Sequence, residues 1–433
     1  MVPRQEMGAS WLKVLRRFRR AELPSLFEAV GRTTIASMSL RRGSNSLRIV
    51  VLGYVVRAPL AGLAWHYLQY VLGLVRLGHE VLFVEDSDDY PSCYNPQTLA
   101  FGNDPGYGLQ FLSDSLTALD LPARWAYYDA HLKTWHGPGA ARVHETLKSA
   151  DLCLNVSGVN PLRPWFMEIP VRALIDTDPA FTQIRHLENT DSLARAERHT
   201  VFFTFGEEIS AGRALVPDDG LPWQPTRQPI LLTAWPVTPG HTEGRFTSVL
   251  IWEAYPALEY NGRRYGAKSD SFTQFLALPA KTGPIFELAF GSRTAPGRLV
   301  SDHGWTLVNP LPISRTLDTY RRFLQASKAE FSIAKHGYVV SRSGWFSERS
   351  AAYLASGRPV VAQDTGFSHW LPTGEGVVPF VTLDEAASAI ASVNGRYENH
   401  CRAARGLAEA FFDSDTVLAH LVERAMSDAP RWT

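Results

Sequence analysis

Apolar runs alternate with amphipathic stretches along most of the chain, in the order strand, helix, strand. The first run, RIVVLGYVV (48–56), is rich in β-branched residues, as in a strand that is buried on both faces. The apolar segment 59–75 follows it, and EVLFVED (80–86) then predicts a second strand. This spacing predicts a parallel βαβ unit, because parallel strands need a crossover between them.

The segment PLAGLAWHYLQYVLGLV (59–75) raises the question of a membrane span. A spanning helix needs about 20 predominantly apolar residues, and this run is shorter and includes His66 and Gln69. A helix that is apolar on nearly all sides is also typical of one that is buried against a sheet. We therefore expect a buried helix here.

The alternation continues in two series that are separated by a proline-rich stretch. Strand-like runs of the first series lie at 152–158, 171–178 and 200–206, and those of the second at 246–253, 284–291, 305–310 and 358–364. Helical stretches lie at 141–150, 192–198, 271–278, 317–327, 347–357 and 382–393. Residues 215–239 contain six prolines, which indicates a connection between domains.

This pattern predicts two doubly wound α/β domains with parallel sheets. We expect a basic extension at 1–45, a first domain at 46–228, a second at 229–405 and a helical segment at 406–433. Ligands of such sheets bind beyond the carboxyl ends of the strands, so the cleft between the two domains is the expected site.

Composition and charge narrow the choice of partners. The 433 residues are 45% hydrophobic and 20% charged, with 43 basic and 43 acidic residues, which is typical of a soluble globular protein. Zero net charge gives no overall attraction to polyanions, so we expect no nucleic-acid partner. The three cysteines form no Cys-x-x-Cys motif, which argues against a disulfide scaffold or a cysteine zinc site and favours the cytoplasm.

The first 45 residues differ from the rest in charge. They carry nine basic residues against three acidic ones, and WLKVLRRFRR (11–20) has apolar residues near helical spacing. A basic amphipathic helix can lie on an anionic bilayer, which predicts peripheral membrane contact. A helix that covers the fold and an unstructured tail are the alternatives.

A candidate phosphate site lies at the loop SRSGWF (341–346) and the helix expected to start at Ser347. The first turn of a helix presents unpaired N–H groups and a partial positive charge, which suit a phosphate. Arg349 in that first turn is well placed for a bidentate phosphate contact. The alternative is that Arg349 pairs with Glu348 or with a neighbouring loop.

The segment ASKAEFSIAKHGYVVSRSGWFSERSAAYLASGRPVVAQDTGF (326–367) resembles the nucleotide-sugar-binding region of group-one glycosyltransferases of the GT-B fold. The match is to a small-x-Gly-x-Pro-Val-Val pattern and a Thr-Gly loop, at Ala355, Gly357, Pro359, Val360, Val361, Thr365 and Gly366. The resemblance implies two Rossmann-like domains, with a terminal helical segment that crosses back to the first. It also implies transfer of a sugar from a nucleotide diphosphate sugar to a hydroxyl acceptor, without a metal or other cofactor.

The chain departs from this pattern at one point. Many of these transferases carry two glutamates before the Gly-x-Pro-Val-Val segment, and their positions are occupied here by Gly344 and Ala352. Glu348 is the acidic residue of that helix, and it either binds the ribose hydroxyls or favours the helix N-terminus. The donor sugar and the stereochemical outcome therefore stay open.

The resemblance also implies a set of donor-binding residues. Lys268, in YGAKSDSF (265–272), is similar to the lysine that these transferases place on the donor diphosphate, although an exposed loop lysine is the alternative. Lys335 has a weaker claim. The expected donor-binding residues are Lys268, Ser343, Gly344, Trp345, Glu348, Arg349, Ser350, Asp364, Thr365 and Gly366.

On the acceptor side, DTDP (176–179) ends a buried-type strand. Asp176 or Asp178 is a candidate for the base that takes the proton of the acceptor hydroxyl, and a turn before proline is the alternative. His66 is a third catalytic candidate, or else a core residue of its helix. Gly62 and Glu207 are expected at the acceptor site.

Three other functions compete with transfer. A dinucleotide oxidoreductase would use the opening βαβ unit, but its first turn, GYVVRAPLAG (53–62), lacks Gly-x-Gly-x-x-Gly. A sugar-nucleotide epimerase or a phosphorylase would share the GT-B plan. A sugar-nucleotide-binding protein without turnover would fit the missing glutamate pair. Fold does not choose among the last two classes and a transferase.

Overall fold

The computed structural model describes residues 46–253, 255–291 and 295–428, which belong to one compact unit. The basic segment 1–45 and its predicted helix lie outside the described residues. The strands are β1 (Arg48–Leu52), β2 (Glu80–Asp86), β3 (Cys93–Asn95), β4 (Ala100–Gly102), β5 (Trp125–Asp129), β6 (Thr134–His136), β7 (Leu152–Val156), β8 (Val171–Asp176), β9 (Val201–Thr204), β10 (Gln224–Pro225), β11 (Phe246–Ile251), β12 (Leu258–Tyr260), β13 (Arg263–Tyr265), β14 (Phe286–Gly291), β15 (Thr306–Val308), β16 (Ala329–Ser332), β17 (Val360–Gln363) and β18 (Val377–Phe380).

Helices alternate with these strands. They are α1 (Ala61–Arg76), α2 (Gly106–Ala118), α3 (Val143–Lys148), α4 (Phe181–Glu188), α5 (Thr190–Ala196), α6 (Glu207–Ser210), α7 (Lys268–Phe272), α8 (Leu278–Thr282), α9 (Gly297–Asp302), α10 (Pro310–Ile313), α11 (Leu317–Ala326), α12 (His336–Ser341), α13 (Glu348–Ala355), α14 (Leu383–Gly395), α15 (Tyr397–Phe411) and α16 (Ser414–Ser427).

Two mainly parallel sheets organise the molecule, which confirms the predicted fold class. The first has the order β10-β9-β8-β7-β1-β2-β5-β6 and is parallel except for β6. The second has the order β15-β14-β11-β16-β17-β18 and is parallel throughout. We call residues 46–225 with α16 the first lobe, and residues 246–411 the second lobe.

Each sheet has one point at which the strand order reverses. In the first sheet it lies between β1 and β7, and in the second it lies between β11 and β16. Loops on either side of such a point diverge and leave a crevice for ligands beyond the carboxyl ends of the strands. Helix α1 follows β1, and α7 and α12 follow β11 and β16, so these helices begin beside the two crevices.

The apolar segment 59–75 forms most of α1, which is buried as expected. Its Gly73 lies so close to α16 that an added Cβ would stand 2.4 Å from Leu418 Cδ1. Helix α1 is therefore apolar on nearly all sides because it packs against a sheet on one side and against α16 on the other. No helix in the described part of the chain combines the length and hydrophobicity needed to cross a bilayer.

The C-terminal helices return to the first lobe, as the resemblance implied. Arg76 Nε of α1 donates to Asp415 Oδ2 at 2.9 Å, and Arg424 Nη1 donates to the Pro225 carbonyl oxygen at 3.0 Å. Both arginines thus join α16 to first-lobe elements. The boundary expected between residues 405 and 406 falls inside α15.

The start of a helix was predicted correctly where a side chain caps its first turn. The Ser347 hydroxyl accepts from Arg349 N at 3.2 Å, which places the N-cap of α13 at Ser347 as predicted. The helix expected at 271–278 is wrong in its extent. A 3-10 turn at Thr273–Phe275 separates α7 from α8, and Pro279, which has no N–H, lies in the first turn of α8.

Candidate functional site

The two lobes meet where α1 begins. Ala61 N donates to the Ser314 carbonyl oxygen at 2.9 Å, and Trp65 Nε1 donates to the Leu317 carbonyl oxygen at 3.0 Å. A Cβ added to Gly62 would lie 3.2 Å from the ring and hydroxyl of Tyr320 in the second lobe. Gly62, an expected acceptor-site residue, is therefore at the contact between the lobes, where its lack of a side chain permits the close approach.

Lys268 lies at the strand-order reversal of the second sheet. It begins α7, and the chain just before it is paired with the start of α12: Gly337 N donates to Gly266 O at 3.0 Å and His336 N donates to Ala267 O at 3.1 Å. This pairing brings Lys335 beside Lys268. Partial burial, with repulsion from Arg349 and Lys335, lowers the pKa of Lys268 to about 7.

Arg349 is close to Lys268 and is held by strand residues. Its Nε donates to Glu330 Oε1 at 2.6 Å, Nη1 to the Val249 carbonyl oxygen at 2.7 Å, and Nη2 to Ser332 Oγ at 3.1 Å. Burial opposes the charge, but Glu330 outweighs it and raises the pKa of Arg349. The ion-pair partner of Arg349 is thus Glu330 of β16, a residue that the sequence analysis did not select. Three of its five N–H donors are used.

His66 and Glu348 approach each other across the lobes. His66 is buried, and its Nδ1 has no hydrogen-bond partner among the described residues. Burial lowers the pKa of His66, while the charge of Glu348 opposes that shift. His66 is therefore neutral at neutral pH and lies near the first turn of α13. Together with Gly62, Lys268 and Arg349, these two residues form the core of the site.

The loop 341–346 is joined to the first lobe by hydrogen bonds to first-lobe backbone groups. The Ser343 carbonyl accepts from Glu208 N at 3.1 Å, and Trp345 Nε1 donates to the Thr177 carbonyl oxygen at 3.2 Å. Gly344 has a φ of +81°, and an added Cβ would stand 2.7 Å from Glu208 Cγ. Glycine is required here both by the backbone conformation and by the approach of the other lobe.

The loop 364–366 is hydrogen-bonded to the loop 341–346 and so supports its contact with the first lobe. Gly344 N donates to the Thr365 carbonyl oxygen at 2.9 Å, and the Thr365 hydroxyl donates to the Trp345 carbonyl oxygen. Asp364 Oδ1 accepts from Gly366 N at 2.9 Å, so its carboxylate orders its own turn. Ser343 and Ser350, the other expected donor residues, are buried; Ser343 Oγ has no hydrogen-bond partner in the described ranges.

Asp176 is buried at the end of β8 and is surrounded by donors of its own lobe. It accepts from Thr182 Oγ1 at 2.7 Å, Gln183 Nε2 at 3.0 Å, Thr204 Oγ1 at 2.8 Å and Asp178 N at 2.9 Å. Burial raises the pKa of Asp176 against these hydrogen bonds. With four donors on two oxygens, Asp176 holds the turn after β8 in shape.

Asp178 is the meeting point of charged and phenolic groups from both lobes. It accepts from Lys335 Nζ at 2.9 Å, from Arg185 Nη2 at 3.1 Å, from Tyr255 Oη at 2.6 Å, and from the Tyr338 hydroxyl. Burial alone would raise the pKa of Asp178, but Lys335 and Arg185 outweigh it and lower the pKa to about 2. A carboxylate with so low a pKa is a weak proton acceptor at neutral pH.

Glu207, expected on the acceptor side, starts α6 and forms an ion pair with Arg227. The structure does not bring it into contact with the Lys268 group. Tyr320, which was not among the predicted site residues, borders the same group: burial raises its pKa, and the charges of Arg349 and Glu348 both act on it. No local motif marks Tyr320, since its place depends on the packing of α11 against α1.

The first lobe has its own ring of backbone N–H groups after β1. The buried Glu85 carboxylate accepts from Val55 N at 2.6 Å, Val56 N at 2.8 Å and Arg57 N at 2.8 Å. Consecutive N–H groups of this kind bind phosphate in dinucleotide folds. Here an internal carboxylate occupies them, so the geometry disfavours the oxidoreductase alternative and leaves phosphate binding to the second lobe.

Comparison with known proteins identifies similar folds but no close relative. No protein-family model and no curated protein matches the chain. HepE of Anabaena, solved with UDP-glucose, has a TM-score of 0.54 at 12% identity, covering 88% of this chain and 100% of that chain. Sucrose-phosphate synthase of Thermosynechococcus elongatus has a TM-score of 0.51 at 13% identity, covering 88% and 99%.

A third similar structure corrects one expectation. An alpha-glucosyltransferase solved with UDP-glucose and DNA containing an abasic site has a TM-score of 0.53 at 10% identity, covering 88% of this chain and 99% of that chain. The exclusion of nucleic acid from the net charge is therefore wrong. A net charge of zero describes the whole molecule, whereas a local surface of the same fold binds DNA in that protein.

These likenesses extend over both lobes, at identities that establish architecture. The reversal points of two parallel sheets, the facing lobes and the returning C-terminal helices are all present in one chain. The protein therefore shares with these solved structures a GT-B fold of two Rossmann-like lobes.

Proposed function

We propose that this protein is a glycosyltransferase that moves a sugar from a nucleoside diphosphate sugar to an acceptor hydroxyl. The observation that carries the proposal is the group of cationic side chains, Lys268, Lys335 and Arg349, at the reversal point of the second sheet. It faces α1 of the first lobe, which follows the reversal point of the first sheet. The three solved structures described above, each named as a synthase or transferase or solved with UDP-glucose, support the same assignment.

The second lobe holds the donor in this proposal. Lys268, Arg349 and the first turn of α13 bind the diphosphate, and Glu330 fixes the orientation of Arg349 beforehand. As the glycosidic bond breaks, negative charge grows on the leaving diphosphate, and fixed positive charges lower the energy of that transition state. Glu348 accepts a hydrogen bond from a hydroxyl of the donor in this proposal.

The first lobe receives the acceptor, and His66 and Gly62 line that side. His66 is neutral and has an unpartnered Nδ1, so it can accept or donate a hydrogen bond at a sugar hydroxyl. Asp176 and Asp178 take no proton here, because their oxygens are committed to four donors each. Lys268 and Arg349 also supply positive charge of the kind that a metal would bring, so transfer is metal-independent in this proposal.

The proposal places the protein in the cytoplasm, where its three free cysteines would stay reduced. Peripheral membrane contact through residues 1–45 is part of the proposal, and those residues lie outside the described ranges. The acceptor is a carbohydrate or another hydroxyl compound.

The proposal is tested by calorimetry with a panel of nucleoside diphosphates and by release of the nucleoside diphosphate with and without acceptor. Lys268→Ala should weaken the best ligand at least tenfold, which corresponds to about 1.4 kcal/mol. Lys281→Ala is the matched control, because that lysine is exposed and pairs with Asp384 on the surface. Turnover should persist in excess EDTA. Equal affinity of Lys268→Ala and wild type, or diphosphate release without any acceptor, would contradict the assignment.

A further inference from the structure

The ammonium of Lys335 lies in a cage built from both lobes. Its Nζ is 2.9 Å from Asp178 Oδ1, and it stands 4.3, 5.1 and 5.2 Å from the ring centres of Tyr255, Tyr338 and Phe181. Aromatic faces and a carboxylate are the groups that attract an ammonium most strongly. We call Asp178, Phe181, Arg185, Tyr255, Lys335 and Tyr338 the interlobe lock.

The interlobe lock is tightly packed. A Cβ added to Gly337, the neighbour of Lys335, would stand 2.4 Å from Phe181 Cζ. Phe181 meets Tyr338 edge to face with ring centres 5.6 Å apart, and Trp345 stacks on the other side of Tyr338 at 4.3 Å. Displacing Lys335 from the cage therefore requires a partner that attracts it more strongly than Asp178 does.

The charges of the interlobe lock do not balance. Lys335 and Arg185 both pair with the single carboxylate of Asp178, at 2.9 Å and 3.1 Å. One positive charge is in excess, in a partly buried setting where screening by water is weak. This excess positive charge lies near Lys268, because backbone hydrogen bonds join residues 336–337, next to Lys335, to residues 266–267, next to Lys268.

We infer that Lys335 is a further diphosphate ligand besides Lys268 and Arg349, shared between Asp178 and the bound donor, so that the donor and the interlobe lock compete for one ammonium. The inference rests on the proposed function, since it adds a residue to the same diphosphate site. A diphosphate carries more negative charge than a carboxylate, and the flexible four-carbon stem of lysine lets the ammonium turn from one to the other.

Competition predicts changes of opposite sign for two variants of the full chain. Lys335→Met removes a diphosphate ligand and should weaken binding of inorganic pyrophosphate and of UDP about tenfold. Asp178→Asn removes the competitor and should tighten both by a few fold. A lock that only stabilised the fold would give the same sign in both variants, because either change breaks the same ion pair. Pyrophosphate reports on the diphosphate site whatever base the donor carries.

The measurement is calorimetry on proteins whose thermal unfolding shows that they are folded at the working temperature. Lys335→Arg keeps the charge and should bind pyrophosphate more tightly than Lys335→Met, which provides the test if Asp178→Asn does not fold. Lys281→Met, at a surface lysine, should bind as wild type does. Weaker binding by Asp178→Asn, or equal binding by Lys335→Met and wild type, would overturn the inference.

The same data separate this inference from the proposed function. If wild type binds UDP or pyrophosphate and Lys268→Ala loses that binding, the diphosphate site exists, and only the part assigned to Lys335 is then at stake. If wild type binds neither, and Lys268→Ala changes nothing, the proposed function fails and the inference fails with it.

Discussion

Burial of single charged residues determines the chemistry of this site. Lys268 is the clearest example, because burial and neighbouring cations lower its pKa to about 7, within the range of ordinary working pH. An ammonium with a pKa of about 7 is poorly solvated and repelled by its neighbours, and both penalties are relieved when an anion binds. The residue is thus poised to respond to an anionic ligand.

This property predicts that diphosphate binding takes up a proton above pH 7. At pH 8 Lys268 is about nine-tenths neutral in the free protein, and a bound diphosphate raises its pKa, so close to one proton enters with the ligand. At pH 6 the group is already charged and uptake from it should be near zero. Calorimetry of UDP binding in two buffers with different ionisation enthalpies measures the proton count, once the titration of UDP itself is subtracted.

Lys268→Arg is the control for this experiment, since a guanidinium stays charged at both pH values. The variant should bind UDP with no proton uptake from residue 268 at pH 8. Equal uptake by wild type and Lys268→Arg would show that Lys268 does not titrate near pH 7.

At the scale of elements, the sequence predicted helices and strands well where burial or a side-chain cap leaves a clear local pattern. Residues 49–52 of β1 are all buried, and their apolar run is continuous. Helix α13 has its N-cap in the side chain of Ser347. Short strands such as β10 and β12 carry no such pattern, because two or three residues cannot express a period.

The packing of α1 against α16 gives a prediction at this scale. Gly73→Ala adds helix propensity worth about 1 kcal/mol, but its Cβ would stand 2.4 Å from Leu418 Cδ1 and 3.0 Å from Ser414 Cβ. Overpacking costs about 1–3 kcal/mol, so the net effect should be destabilising and should lower the Tm.

Gly406→Ala is the matched change in α15, where an added Cβ meets no atom of the described residues within 4 Å. It gains the propensity without the clash and should raise the Tm slightly. Thermal unfolding of both variants measures the contrast. A Tm for Gly73→Ala at or above that of Gly406→Ala would mean that α16 yields easily and that its contact with α1 is loose.

For the whole molecule, the site depends on contacts between residues far apart in sequence, and this limited what could be predicted. Lys268 and the helix start at Ser347 are visible in local sequence. The pairs Asp178–Lys335 and Trp345–Thr177 join positions 157 and 168 residues apart, and no local pattern connects them. Asp178 therefore looked like a free base after a strand, whereas the structure surrounds it with donors from both lobes.

These long-range contacts also predict that the lobes unfold together. The Ser343 carbonyl and the Trp345 indole bond to first-lobe backbone, and α16 adds C-terminal residues to the first lobe, so neither lobe is complete without the other. Wild type should give a single calorimetric transition.

Gly337→Val places a branched side chain where even a Cβ would stand 2.4 Å from Phe181, which should separate the lobes at the interlobe lock and split the transition in two. Gly406→Val, which meets no neighbour within 4 Å of its Cβ, should keep one transition at a Tm equal to or slightly above that of wild type, because valine is a better helix former than glycine. If Gly337→Val also keeps one transition at the wild-type Tm, the interlobe lock contributes nothing to the coupling of the lobes, and the contacts made by α1, α16 and the loop 341–346 are then sufficient to join them.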